Sequence, residues 1–184
     1  MPGPRRYKIH EESGFETPSG KVECYSDRLE AWGFDPLPTW HEPPETPESK
    51  PDLADEYPFI LMSWKSAPFR HSGGRQINPL RQEHPDPMVH IHPETAERGG
   101  IHDGDKVVIE TIRGRIQQKA HVTKGIDPKV IGVDYAWWFP EKGVSNLYGW
   151  AEANINILLD DNPPYNPEMG TTQLRGIACK IYKA

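Results

Sequence analysis

Four stretches of this sequence hold residue types that can do chemistry. The first is Ser63-Trp-Lys-Ser-Ala-Pro-Phe-Arg-His-Ser-Gly-Gly-Arg-Gln76, which follows an apolar run. It gathers Lys65, Arg70, His71, Ser72 and Arg75 around two adjacent glycines. Cations, hydroxyls and the exposed N–H groups of a glycine pair suit a phosphate, although a polar surface loop is the plainer reading. The second is His90-Ile-His92 with Glu97, spaced as in the first metal motif of cupins, His-x-His-x4-Glu. Two imidazoles at this spacing share one face of a strand and can hold iron or zinc. Against this, Pro93–Arg98 reads as a helix that turns Glu97 off that face, and the second cupin motif is absent. The third is Trp137-Trp-Phe-Pro140. Alternation along a strand sends at least one of these rings away from the core, toward a partner chain, a domain or a planar ligand. The fourth pairs Asn154 with Asn156, whose carboxamides offer a donor and an acceptor to the edge of a heterocycle.

The elements that must position these groups are mostly short strands. Phe59–Trp64 is an apolar run, Met88–His92 alternates, and Lys106–Ile112 and Arg115–Thr123 flank an Arg113-Gly114 hairpin turn. Val130–Phe139 and Gly176–Tyr182 complete the set. Pro93–Arg98 has proline at the first helical position, Glu94 in the first turn and Gly99-Gly100 as the stop. Ala151–Leu159 reads as either helix or turn. Six or so short strands with one or two small helices predict a mainly β fold closed into a barrel. No repeat at solenoid or propeller periods appears.

The N-terminal part differs. Nine of the 20 prolines lie in residues 1–51, and Asp35–Pro51 suits neither a helix nor a central strand. Thr17–Ser26 predicts a turn and a short strand, and Asp27–Trp32 one helical turn. The expected division is a proline-rich arm over residues 1–54 and a barrel over residues 55–184. The arm has too little apolar surface to fold alone, so it must pack on something else.

Composition limits the partners. Lys and Arg number 21 against 27 Asp and Glu, a net charge of −6, which disfavours nucleic acid or an anionic membrane as the partner. No run of 18 apolar residues occurs, so no membrane span is expected. No targeting segment is visible in this chain; if it is complete, the expectation is cytoplasmic. Cys24 and Cys179 form no C-x-x-C and read as structural thiols, with their disulfide state open.

Taken in order, these segments resemble the C-terminal molybdopterin dinucleotide-binding domain of the dimethyl sulfoxide reductase superfamily. Phe15-Glu-Thr-Pro-Ser-Gly-Lys-Val-Glu-Cys-Tyr-Ser26 resembles the segment that precedes that domain. Tyr57–Ser63 resembles its first strand, and His71-Ser72 the pair that closes the next loop. Ile91-His-Pro-Glu-Thr-Ala96 and Gly100-Ile-His-Asp-Gly-Asp105 resemble two further segments. Trp137–Glu141, Asn154–Leu158 and Gln173-Leu-Arg-Gly-Ile-Ala-Cys-Lys-Ile181 are most similar to the branch with thiosulfate and polysulfide reductases, some formate dehydrogenases and acetylene hydratase.

The resemblance implies a six-stranded double-psi β-barrel and a ligand, molybdopterin guanine dinucleotide, arranged around molybdenum or tungsten held by the rest of the enzyme. It implies that this domain caps the cofactor without ligating the metal. Carried over by motif, the cofactor-binding residues are Trp64, Lys65, Ser66, His71, Ser72, Asn156 and Arg175. At Lys65 the family often has arginine; lysine supplies a point charge rather than a planar fork. The implied partners are the large catalytic part or subunit of a molybdopterin oxidoreductase and an iron–sulfur subunit. The chain contains no candidate nucleophile and no cysteine cluster, so it is not expected to be catalytic alone. Two alternatives stand beside this reading. One is a protein–protein interaction barrel without cofactor; the other is a cupin-like metal enzyme using His90, His92 and Glu97.

Overall fold

The computed structural model describes residues 6–163, 165–172 and 174–184. Residues 1–5 of the expected arm, and Gln173 of the last motif, lie outside the described residues. The chain divides into two compact units, one of residues 1–41 with 167–169, the other of residues 42–166 with 170–184.

In the first unit no residue between 6 and 41 is buried. Local hydrogen bonds shape it instead. The Phe15 N–H donates to Gly20 O at 2.9 Å and the Thr17 hydroxyl to Lys21 O at 2.6 Å, closing the Thr17–Gly20 turn. Ser26 caps α1 (Asp27–Ala31) by accepting from the Leu29 N–H. The strand expected within Thr17–Ser26 does not form, because no second strand is there to pair with it.

The second unit is a closed barrel of six strands: β1 (Phe59–Trp64), β2 (Met88–Ile91), β3 (Lys106–Thr111), β4 (Gly114–Val122), β5 (Val130–Asp134) and β6 (Ile177–Lys183). The order around the barrel is β1-β5-β2-β4-β3-β6. β1 runs parallel to β5 and β2 parallel to β4, while the remaining neighbours are antiparallel. Alternation sets the core: Leu61, Val89, Ile109, Ile116, Ile131 and Val133 point inward and are buried. The hairpin turn is Ile112-Arg113, one residue earlier than expected, and Gly114 pairs with Thr111 as the first residue of β4. A Cβ at Gly114 would meet Ile157 O at 2.9 Å, so this position takes glycine to let the following segment close over the hairpin.

Two expectations need correction. β5 ends at Asp134 rather than Phe139, because Ala136 turns to a φ of +51° and carries the chain off the sheet. Helices are also more numerous than one or two. α2 (Pro51–Glu56), α3 (Asn78–Glu83), α4 (Pro93–Arg98) and α5 (Trp150–Ala153) accompany α1 among the described residues, with three 3-10 turns. Prolines stand in the first turns of α2, α3 and α4, where no N–H is needed. The segment from Glu45 to Tyr57 lies along the barrel wall. Glu45 pairs with Arg113, Glu56 receives Lys180 at 2.8 Å, and Lys180 stands 4.6 Å over the Tyr57 ring.

Candidate functional site

Strand direction concentrates the long connections at one end. β1 and β5 leave the barrel there, β2 and β6 enter there, and the β3–β4 hairpin turns there. Residues 65–87 and 135–163 therefore emerge side by side. The opposite end carries α4 and the turns at 101–105 and 123–129.

At the loop-bearing end, β5 finishes in Asp134, which is fully buried. Its carboxylate accepts from the Ser66 hydroxyl at 3.0 Å, the Met88 N–H at 2.9 Å and His84 Nε2 at 2.5 Å. Gln118, buried in β4, accepts from the Asp134 N–H at 3.0 Å and donates to Ala153 O at 2.8 Å. One satisfied polar network thus fixes the start of the loop after β1, the end of α3, the start of β2 and α5.

Above it sits Trp137, also fully buried. The Arg75 and Arg81 guanidiniums lie 5.2 and 5.0 Å from its ring, and Phe69 and His84 meet it edge-on. Burial draws the Arg75 guanidinium below its usual value; Asp134 opposes that and Arg81 adds to it. A continuous set of contacts then links the loops. The Trp138 indole N–H donates to Ser72 O at 2.6 Å. Asn154 Nδ2 donates to Trp137 O at 2.9 Å, and Asn154 Oδ1 accepts the Asn156 N–H at 3.1 Å.

Of the residues expected from sequence, five come to this end with side chains turned outward. Lys65 is exposed, with its ammonium 5.8 Å from the Tyr135 ring, and His71 meets the same ring at 6.2 Å. Ser72 and Asn156 are exposed, and among the described residues the Ser72 hydroxyl and the Asn156 carboxamide make no hydrogen bond. Arg175 is exposed two residues before β6, on the side where β1 leaves. The other two are engaged inside the protein. The Ser66 hydroxyl is committed to Asp134. Trp64 points to the outer wall, stacked on His90 at 4.2 Å, over Gly132, where a Cβ would stand 3.3 Å from the indole.

The cupin-like grouping does not assemble. His90 projects from the barrel wall between Trp64 and His121, whereas His92 lies beyond β2 and caps α4 by accepting the Glu94 N–H at 3.2 Å. Glu97 lies on α4. Among the described residues no group of three His, Cys, Asp or Glu side chains could hold a metal ion. The tryptophan run is also resolved: Trp137 is fully buried, while Trp138 and Phe139 are half-buried. Sequence reasoning missed the structural roles of Asp134, His84 and Tyr135. A buried carboxylate at the end of an apolar strand, Val130-Ile-Gly-Val-Asp134, was the available signal. A hollow of about 790 Å³ on the barrel flank, with Lys106, Arg115 and Lys119 facing Asp86 and Glu152, includes none of the expected site residues.

The family described as the molydopterin dinucleotide binding domain matches residues 59–177. The acetylene hydratase of Syntrophotalea acetylenica is 37% identical over 177 residues, 92% of this chain and 24% of that protein. The dopamine dehydroxylase of Eggerthella lenta is 37% identical over 176 residues, 93% of this chain and 17% of that protein. A solved structure of acetylene hydratase from Pelobacter acetylenicus superposes with a TM-score of 0.80 at 37% identity, covering 93% of this chain and 24% of that one. This chain therefore spans about a quarter or less of the length of these relatives.

Proposed function

The chain belongs to the molydopterin dinucleotide-binding domain family, and we propose that the end of its barrel where β1 and β5 finish holds the guanine dinucleotide part of that cofactor. In this reading the chain is one wall of a larger molybdenum or tungsten oxidoreductase. When bound, the cofactor supplies the metal centre at which that enzyme's reaction runs. This chain's residues hold and orient it.

The observation that carries the reading is the donor set presented at one end. Among the described residues Lys65, Arg70 and His71 have no carboxylate within ion-pair reach. Exposed basic groups left without a carboxylate partner fit a pyrophosphate, and the free Asn156 carboxamide fits the edge of a guanine. The contacts through Ser72, Trp138, Trp137 and Asn154 hold these two groups in a fixed relation. Arg175 enters the proposal by its place before β6. Trp64 and Ser66 contribute by shaping the loop rather than by touching the ligand. The partners in this reading are the large catalytic part of the enzyme and an iron–sulfur subunit, which should co-purify with the chain.

The test is the pterin content of the complete enzyme carrying His71→Ala or Asn156→Ala, measured by fluorescence of the released pterin. Each variant is expected to lose most of its pterin, since a hydrogen bond to the phosphate charge contributes about 1.5–3 kcal/mol and a guanine edge left unpaired in the site costs about 1–3 kcal/mol. The thermal transition of the barrel should not move. Full pterin content in both variants would overturn the reading.

A further inference from the structure

The segment Arg70-His-Ser-Gly73 has an unusual backbone arrangement. All four of its carbonyls are taken by internal donors. Arg70 O accepts the Gly73 N–H at 2.9 Å, and Ser72 O accepts the Trp138 indole at 2.6 Å. Arg75 takes the other two: Nη1 donates to His71 O at 2.6 Å and, at 3.4 Å, to Gly73 O. Its Nη2 reaches across to Tyr135 O at 2.7 Å, beyond the end of β5. With every carbonyl occupied, the remaining main-chain groups are donors. Among the described residues the N–H groups of His71 and Ser72 have no hydrogen-bond partner. His71 also has a φ of +52°, a left-handed value unusual for a residue with a side chain. Successive free N–H groups around a left-handed residue form a concave nest for an anion.

Arg75 is not placed to touch a ligand itself. It is 2% exposed, so it meets no solvent ligand. It has no carboxylate within ion-pair reach, its Nε has no acceptor, and its guanidinium carbon lies 4.6 Å from the Phe69 ring and 5.2 Å from the Trp137 ring. A buried guanidinium that hydrogen-bonds only to carbonyls keeps a positive charge beneath the nest, with the Asp134 carboxylate acting on it through space. Gly74 completes the arrangement: its φ is +99°, and a Cβ there would meet Phe69 at 3.2 Å.

We infer that Arg75 is the positioning residue of a phosphate-binding nest, holding the His71 and Gly73 carbonyls inward so that the His71 and Ser72 amides face a phosphate oxygen. This rests on the proposed reading of the loop-bearing end and adds to it the main-chain donors and the residue that aims them. Lysine at this position would keep the charge but lacks the fork whose Nη1 and Nη2 reach carbonyls on separate segments.

The experiment is a titration of the ¹⁵N-labelled full chain with inorganic pyrophosphate, following amide resonances at two salt concentrations. In the wild type the His71 and Ser72 amides should shift in a saturable, salt-dependent way. Arg75→Lys should weaken the response by about tenfold, the size of a lost charge-assisted contact. Arg75→Met should weaken it further and reduce the salt dependence, because the buried charge is gone. Trp138→Phe removes one carbonyl contact only and should weaken it less, which keeps the test valid where Arg75→Met fails to fold. Unchanged pyrophosphate shifts in both Arg75→Lys and Trp138→Phe would overturn the inference, as would wild-type amides that do not move. If the wild-type amides respond as expected while the complete enzyme keeps its pterin in His71→Ala and Asn156→Ala, the nest stands and the cofactor reading falls.

Discussion

At single residues, His90 shows what burial does to a titratable group on this barrel wall, and Asp134 shows what a buried acceptor holds together. Burial on the wall lowers the His90 pKa; Asp134 in β5 opposes that, and His121 in β4 and His84 after α3 add to it. The folded chain therefore favours neutral His90, while the unfolded chain takes up its proton near pH 6.5. The sign follows: stability from this group is complete above about pH 6.5 and is lost as the pH falls through the lower folded value. Melting temperatures at pH 7.5 and 5.5 should fall further apart in the wild type than in His90→Phe, which keeps the stacking on Trp64 without the titration. An equal pH difference in both proteins would remove His90 from the account. Asp134→Ala leaves the Ser66 hydroxyl, the Met88 N–H and His84 without their acceptor. Urea unfolding should show a loss of about 3–5 kcal/mol. The carboxylate ending the apolar strand was legible in the sequence, but its partners were not, because they lie 46 to 68 residues away. Arg75 was visible only as one more cation in a polar loop; that it gathers carbonyls depends on where β5 ends.

Among the elements, strands were read more readily than the segments between them. Val107, Ile109, Ile116 and Ala120 alternate inward on β3 and β4, a period of two that survives in any sequence with one buried face. The failures lie where backbone conformation overrides residue type. Val130–Phe139 looked like one strand because its residues suit a strand throughout, yet the positive φ at Ala136 ends it and buries Trp137 whole. Pro51 looked like part of a stretch that suits no helix and instead starts one, and Pro79 likewise stands in a first helical turn. The order of Lys65, His71, Ser72 and Asn156 along the chain was legible; their gathering at one end needed the parallel pairing of β1 with β5. The wall opposite the core is equally shaped. At Gly132 an added Cβ would stand 3.0 Å from Ile126 Cδ1 and 3.3 Å from both Trp64 and His90. Gly132→Val should destabilise the barrel by about 1–3 kcal/mol and change the Trp64 fluorescence, checked by urea unfolding followed through tryptophan emission.

For the molecule as a whole, residues 6–41 bury nothing and expose Trp32, Trp40, Tyr7 and Val22, whereas Glu45 onward is tied to the barrel. We propose that the segment up to about residue 41 is a strap for the much larger remainder of the enzyme. Limited proteolysis of the chain should cut between Phe34 and His41 and leave a fragment with the wild-type melting transition. Arg113→Ala, which frees Glu45, should extend cleavage toward Lys50. The central claim, that one end of the barrel holds the pterin dinucleotide, is tested most directly by hydrogen exchange in the complete enzyme with and without its cofactor. Cofactor should protect residues 69–75 and 154–157 and leave the turns at 101–105 and 123–129 unchanged. Protection confined to those opposite turns, with none at 69–75, would contradict it.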